Sequence, residues 1–336
     1  MSGAERDSAA MLQMGLIGVA AGAASALLFA SVASGSLLSI PLFYLAPLPI
    51  LIAAIGWSHL AGLIAAFVAA GSLAAALNGL FFLTFLIGIG LPAWWLGYLA
   101  LLARSGAGAN GEAPTLEWYP VGRIVLWAAI LGGLVVTIAM LNIASDADSL
   151  HAGLSKAFER LLRAQSGTPA DAPLELRGIS DPKTVIDFMI LIVPPAAAVL
   201  TTTTNVISLW LAARIVRISG RLRRPWPDLS ALTFPRTASI GLAAALAASF
   251  LSGLPGVVGT IFTACLLMAY ALLGLAVLHA VTQGRPTRGM ILGSSYALIV
   301  VFGWPILVMA LVGIADVLLD LRSRKGPKGG PPRLQT

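Results

Sequence analysis

The side chains able to do acid–base, nucleophilic or metal chemistry are few: 3 His, 1 Cys and 14 Asp or Glu in 336 residues. His59, His151 and His279 are far apart, and none has a Cys or carboxylate at ligand spacing, so no metal site is expected. Cys265 stands alone in an apolar stretch, with no disulfide partner in the chain. The sequence holds no Walker P-loop, no HExxH and no GxSxG. The chain is therefore expected to be no enzyme and to need no cofactor.

What the apolar stretches do hold is polar and neutral. Thr201, Thr202, Thr203, Thr204 and Asn205 follow one another in one long run. A threonine hydroxyl can bond the carbonyl one turn back in its own helix. A buried asparagine amide needs a partner elsewhere in the bundle. Tyr44, Asn78, Thr201 and Asn205 are accordingly the candidate lining of a solute cavity, with interhelical hydrogen bonding as the other role for Asn205. Asn142 is a weaker candidate of the same kind. Charged residues avoid the middle of every stretch. Asp187, His279 and Asp316 fall near the ends, which argues against a midplane proton relay or a voltage sensor. Gly18, Ala20, Gly22 and Ala24 form small-residue stripes at a spacing of four, which let a second helix come close. That helix belongs either to this chain or to a partner.

The elements that must position these residues follow from composition. Hydrophobic residues make up 58% of the chain and charged residues 10%, with a mean hydropathy of +0.91. A soluble protein carries roughly 25% charged residues. The deficit excludes a soluble globule, a disordered chain and a secreted disulfide scaffold. The fold class is an all-α, polytopic transmembrane helical bundle of about 8–9 membrane segments, since each crossing needs roughly 20 apolar residues. The apolar stretches are Leu12–Ser34, Leu37–Trp57, Leu60–Leu77, Leu80–Ala103, Ile124–Ile143, Phe188–Ala213, Ala238–Leu254, Val257–Val281 and Met290–Ala315. The first is too long for a signal-peptide core and is expected to be retained. The second carries Pro41, Pro47 and Pro49 and is expected to be broken or re-entrant. Pro92, Pro194, Pro195 and Pro305 are expected to kink three others.

Two polar interruptions set the organisation. Residues 144–183 place Leu150, Leu154, Phe158, Leu161 and Leu162 on one helical face, the pattern of an amphipathic helix at a membrane surface. Residues 214–236 carry Arg214, Arg217, Arg221, Arg223, Arg224 and Arg236 against Asp228 alone. The positive-inside rule makes this loop cytoplasmic, and Arg217, Arg221, Arg223 and Arg224 become candidates for anionic headgroup contact. The net charge of +7 is read as topology, and no nucleic-acid partner is expected. Residues 1–11 then form a cytoplasmic tail, 12–319 one transmembrane domain with 144–183 periplasmic, and 320–336 a basic flexible tail. One conflict remains. Three crossings after residue 236 would export that basic tail, so one of the last stretches is expected to turn back as a hairpin or partial crossing.

Certain motifs resemble a known family. Pro47-Leu48-Pro49 through Ile55-Gly56-Trp57 is followed by Gly90-Leu91-Pro92-Ala93-Trp94-Trp95 and then by Trp118-Tyr119-Pro120-Val121-Gly122-Arg123. With the closing Gly313-Ile314-Ala315-Asp316 and Asp320-Leu321-Arg322, these are similar to the YybS-like domain-of-unknown-function family of bacterial multi-pass membrane proteins, over roughly residues 12–324. The N-terminal half resembles the substrate-binding component of energy-coupling-factor transporters. That resemblance implies a proline-bearing cap at Pro41–Pro49 over a ligand site. It also implies a transmembrane partner on the small-residue stripe of the first helix. The expected function is a small-solute-binding transporter component of the bacterial inner membrane, without its own ATPase and with its N-terminus cytoplasmic. The alternative is a membrane scaffold that recruits cytosolic or lipid partners through its basic loop and tail.

Overall fold

The computed structural model describes residues 3–106, 116–143, 146–169, 174 and 181–322. The structure is helical apart from one small hairpin. Helix α1 spans Gly3–Ala30, so most of the expected N-terminal tail continues the helix of the first span. The rest of the first half comprises α2 (Ser39–Tyr44), α3 (Pro47–Gly56), α4 (His59–Ala76), α5 (Leu80–Phe85) and α6 (Leu91–Leu101). Strands β1 (Ala103–Ser105) and β2 (Leu116–Trp118) pair antiparallel, with Arg104 opposite Glu117. The second half holds α7 (Val121–Ile143), α8 (Ala147–Ser166), α9 (Pro182–Ile218), α10 (Thr237–Ser249), α11 (Leu254–Val281), α12 (Arg288–Phe302) and α13 (Pro305–Leu319). Among the described residues seven segments are long and apolar enough to cross a membrane: Met11–Ser34, Ser39–Gly56, His59–Ala76, Leu80–Leu101, Val121–Ile143, Pro182–Ile218 and Leu254–Val281.

Proline accounts for the irregularities. The helix through Ser39 stops at Tyr44 and restarts at Pro47, because Pro47 has no N–H to give the Phe43 carbonyl. Ala46 N–H takes that carbonyl instead, at 3.1 Å. Pro47 and Pro49 then sit in the first turn of α3, where donors have no intrahelical acceptor. Pro92 likewise follows a π-helical turn, Leu86–Gly90, inserted between α5 and α6. Pro194 and Pro195 do not end α9, which runs unbroken for 37 residues. At roughly 55 Å it is far longer than a bilayer's hydrocarbon core. Asp146 caps α8 by accepting from Ser149 N–H at 2.8 Å. The first half of α8 lies over α7 and α9: Leu150 and Leu154 are buried, and His151 faces Asp187 at 3.4 Å.

Two expected crossings need correction. Ala238–Leu254 yields only α10, 13 residues or about 20 Å, short of a full span. Met290–Ala315 is not one segment but α12 and α13, parted at Gly303, whose φ of 71° leaves the helical region, and restarted by Pro305 at the first helical position.

The helices form two packing units on either side of α9. In the first, α1 packs along α4, and α3, α4 and α6 close around Ala46, Ile50, Leu51, Ala65, Ala66, Phe85 and Leu96. In the second, α7, α11 and α13 close around Ile261, Cys265, Ala269, Tyr270 and Leu273. Gly274 of α11 meets the Met309 carbonyl, and Gly313 of α13 meets Tyr270, so these two helices cross with backbones in contact.

One end of the bundle gathers the arginines. Arg221 lies over the Trp57 ring at 4.6 Å, Arg224 donates to the Ala100 carbonyl at 3.3 Å, and Gly122 abuts Thr233. This places the ends of α3, α6 and α9 and the start of α7 together at what is here called the basic end. Gln283, just after α11, donates to Ser230 Oγ at 3.1 Å. Arg322, just after α13, donates to Ser230 O at 2.9 Å and grips Asp316 through both nitrogens of its fork. The α12–α13 hairpin therefore enters and leaves at the same end. This hairpin resolves the conflict over the last segments: the chain returns at Arg322 to the 214–236 loop. The tail beyond it, with Arg324, Lys325, Lys328 and Arg333, lies outside the described residues.

Candidate functional site

Two recesses adjoin the second unit, and the one at the basic end also touches Ile55 of α3 and Ala100 of α6. One, of about 830 Å³, is a groove between α7, α10 and α11, bordered by Leu126, Ala238, Gly241, Ala245, Val258 and Phe262. No charged residue lines it, so an occupant would gain little beyond dispersion. The other, of about 930 Å³, lies at the basic end and is built in two layers.

The deeper layer is apolar. Helix α9 contributes Val206, Leu209, Trp210 and Ala213, which share a face because they are spaced by three and four. Ile124 and Val125 of α7 and Leu272, Leu275 and Ala276 of α11 complete it. The polar groups of the outer layer come from three segments, interspersed with Leu222, Pro227, Leu229 and Leu232 of the loop. The loop after α9 brings Arg224, Trp226, Asp228 and Ser230, α11 and its end bring His279 and Gln283, and α12 brings Arg288 and Tyr296.

Local chemistry fixes the outer layer. Asp228 Oδ1 accepts from Ser230 N–H at 2.9 Å and from Ser230 Oγ at 2.7 Å, which holds its carboxyl below the usual carboxylate range and ionised. Trp226 is flanked by Arg217 at 4.8 Å and Arg214 at 5.7 Å from its ring. Burial lowers the Arg224 guanidinium from its usual value, yet an arginine remains charged. His279 Nε2 and the Tyr296 hydroxyl are 3.0 Å apart. The Arg288 guanidinium makes no hydrogen bond or ion pair among the described residues, while its backbone N–H donates to the Arg285 carbonyl at 3.1 Å. The lining thus holds two arginines against one carboxylate whose Oδ1 is already engaged. Among the described residues no group of three or more His, Cys, Asp or Glu could hold a metal ion.

No curated protein and no solved structure matches this chain. A match to a family of predicted membrane proteins, DUF2232, spans residues 23–317. The chain belongs to that family. The match takes in every span from within α1 to α13, so both packing units and the cavity between α9 and α12 lie inside the family region.

The residues singled out from sequence are scattered through this family fold. Tyr44 is half-buried at the end of α2, edge-on to Phe43. Asn78 is exposed and accepts from Leu80 N–H at 3.0 Å, which closes the turn into α5. Thr201 and Thr202 bond back to the Ala197 and Ala198 carbonyls at 2.8 and 2.9 Å. Asn205 faces the interior, only 4% exposed, but its Nδ2 finds no partner among the described residues. These four line neither recess. The Gly18 and Gly22 pair is covered by α4, against Ile64 and the Ala65 carbonyl, and so is not a surface for a partner chain. Of that stripe Ala20 is exposed and Ala24 half-buried. Of the basic candidates, Arg217 and Arg221 stack on Trp226 and Trp57, Arg223 is exposed, and Arg224 lines the cavity. Sequence reading missed Ser230, His279, Gln283, Arg288 and Tyr296. Trp226 between two prolines and His279 at a span end were the available signals.

Proposed function

We propose that this chain is a membrane-embedded binding component that holds a small solute in the cavity at the basic end and neither energises transport nor transforms the solute. The supporting observation is the convergence of α7, α9, α11, α12 and the loop after α9 on one recess of about 930 Å³, a volume in the range of small-molecule sites. Native mass spectrometry of the detergent-purified protein tests this reading. A reproducible bound mass that is lost when Ala276→Trp fills the cavity is the expected result. An empty protein under gentle extraction would sink it.

The basic end is proposed to face the cytoplasm of a bacterium, with residues 144–183 periplasmic and both ends of the described chain inside. A cysteine at Ser166 should then be labelled from outside intact cells and one at Ser219 should not. The reverse pattern would overturn the orientation.

A second reading, a scaffold that recruits partners through its basic loop, is favoured by one feature. Arg214, Arg217, Arg221 and Arg223 have no carboxylate partner among the described residues. It predicts that neutralising these four abolishes co-purification of a partner while the cavity keeps its occupant.

A further inference from the structure

We infer that the cavity at the basic end takes an anionic amphiphile, a phosphate- or carboxylate-headed molecule with a hydrocarbon body, which enters sideways from the bilayer between α9 and α12. This rests on the reading of the cavity as a solute site and names the solute's class.

Three observations carry it. The first is the partition of the lining. The lining groups of α7 and α9, and those of α11 as far as Ala276, are apolar, whereas the charged ones, Arg224, Asp228 and Arg288, come from the loop after α9 and the start of α12. A small hydrophilic solute would leave its polar surface unpaired against Val206, Leu209 and Leu272, at a cost that a hydrocarbon body does not incur. The second is charge. Among the described residues the half-buried Arg224 side chain makes one hydrogen bond, to a backbone carbonyl, and the Arg288 guanidinium has no carboxylate partner. The one lining carboxylate, Asp228, is engaged by Ser230. Two forked cations facing a recess of low polarity are suited to a planar or tetrahedral oxyanion. The third is the opening. Helix α12 buries none of its residues and packs chiefly on α13. Ile207 and Trp210 of α9 and Tyr296 of α12 are each at least two-fifths exposed. The gap is thus framed by side chains suited to lipid, and a molecule already in the bilayer meets it without crossing water.

Recognition follows from this geometry. The head lies between Arg224 and Arg288, with the Tyr296 hydroxyl and Gln283 within the same layer as further hydrogen-bonding groups. The body lies along the α9 face from Ala213 to Val206.

The test uses the full chain, incubated in vesicles of phosphatidylcholine containing phosphatidylglycerol, extracted gently, and weighed intact. Glycerol phosphate in solution is a separate probe for the anion alone. One retained phosphatidylglycerol per chain is expected, with phosphatidylcholine and glycerol phosphate not retained. Arg288→Gln should lower retention about tenfold, the loss expected of one charge-assisted bond. Because the Arg288 guanidinium has no hydrogen-bond or ion-pair partner within the described residues, and the backbone bond to Arg285 survives the substitution, that variant should melt as the parent does, which separates binding from folding. Ala276→Trp should abolish retention, and Ala213→Trp serves in its place should the first fail to fold. Equal retention of phosphatidylcholine would overturn the role of the arginines. Glycerol phosphate held as well as the lipid would overturn the amphiphile while leaving the solute site standing. Retention of neither probe would overturn both.

Discussion

The two packing units beside α9 both use glycine and alanine, but to different effect. In the first, Ala46, Ala54, Ala61, Ala65, Ala66, Ala69 and Ala70 are fully enclosed, and α1, α3, α4 and α6 close on one another. In the second, α10 buries only Leu242 and α12 buries nothing; the groove beside α10 opens there, and the cavity at the basic end opens between its helices, α9, and Ile55 and Ala100 of the first unit. Helices in lipid gain little from hiding apolar surface, so close packing requires small residues on both facing surfaces. α4 supplies such a surface to α1. α12 carries a small-residue stripe of its own, Gly289, Gly293 and Ala297, but among the described residues nothing lies within 4 Å of where a Cβ at Gly289 or Gly293 would sit, so the stripe is left open. A closed unit beside an open one is what a binding component needs, a rigid frame and a wall that is not committed to packing.

The largest expected effect lies where the open unit is fastened. Asp316 is 4% exposed at its side chain, and its pair with Arg322 is one of the few polar fastenings of the α12–α13 hairpin. Asp316→Ala leaves the guanidinium unpaired, at a cost of about 3 kcal/mol, the lower end for a broken buried pair because Arg322 is partly exposed. Thermal unfolding in detergent should fall accordingly, and a cysteine at Tyr296 should react faster. An unchanged melt would mean that packing of Gly313 on Tyr270, not the ion pair, holds the hairpin.

A smaller effect separates the two units directly. A side chain at Gly22 would meet the Ala65 carbonyl at 2.7 Å and Val68 as closely, whereas nothing lies within 4 Å of Gly241. Gly22→Leu should destabilise by about 1–3 kcal/mol through overpacking. Gly241→Leu should be neutral or stabilising by up to about 1 kcal/mol, because leucine favours helix over glycine. Equal melting of the two variants would erase the distinction drawn between the units.

That contrast also marks how far the sequence could be read. Most spans were legible because apolar run length is a one-dimensional property, and the break at Pro47 was visible because proline's missing donor is a local feature; Ala238–Leu254 and Met290–Ala315 misled, since their runs are apolar but their helices stop short. The glycine pair on α1 announced a close helix neighbour, but its spacing is the same whether that neighbour is α4 or another chain. The return of the hairpin to the basic end depends on Arg322 reaching Ser230, 92 residues away, and no local pattern encodes such a meeting. The cavity is hidden for the same reason. Its polar layer is assembled from isolated residues on α11, α12 and a loop, each unremarkable where it stands. Asn205 was legible as an inward-facing residue. Its hydrogen bonding was not, since the neighbouring threonines turn to their own helix.

Asn205 yields the smallest expected effect, and it tests whether the seam between the two units is held by polar bonding. An asparagine amide that bridged helices would cost roughly 1–2 kcal/mol to remove. Here Nδ2 is buried without a partner among the described residues, and Thr201, Thr202 and Thr203 spend their hydroxyls on Ala197, Ala198 and Val199. An unsatisfied buried donor is a cost to the folded state, and an apolar residue of similar size relieves it. Asn205→Leu should therefore leave the melting temperature unchanged or raise it slightly, within about 1 kcal/mol of the parent. Since Asn205 does not line the cavity, retention of any bound amphiphile should also be unchanged. A clear loss of stability would show that the amide has a partner in the membrane-embedded protein and that the seam at α9 is polar glue. Loss of the bound molecule with melting intact would instead extend the binding site inward past Val206, into the closed face of α9.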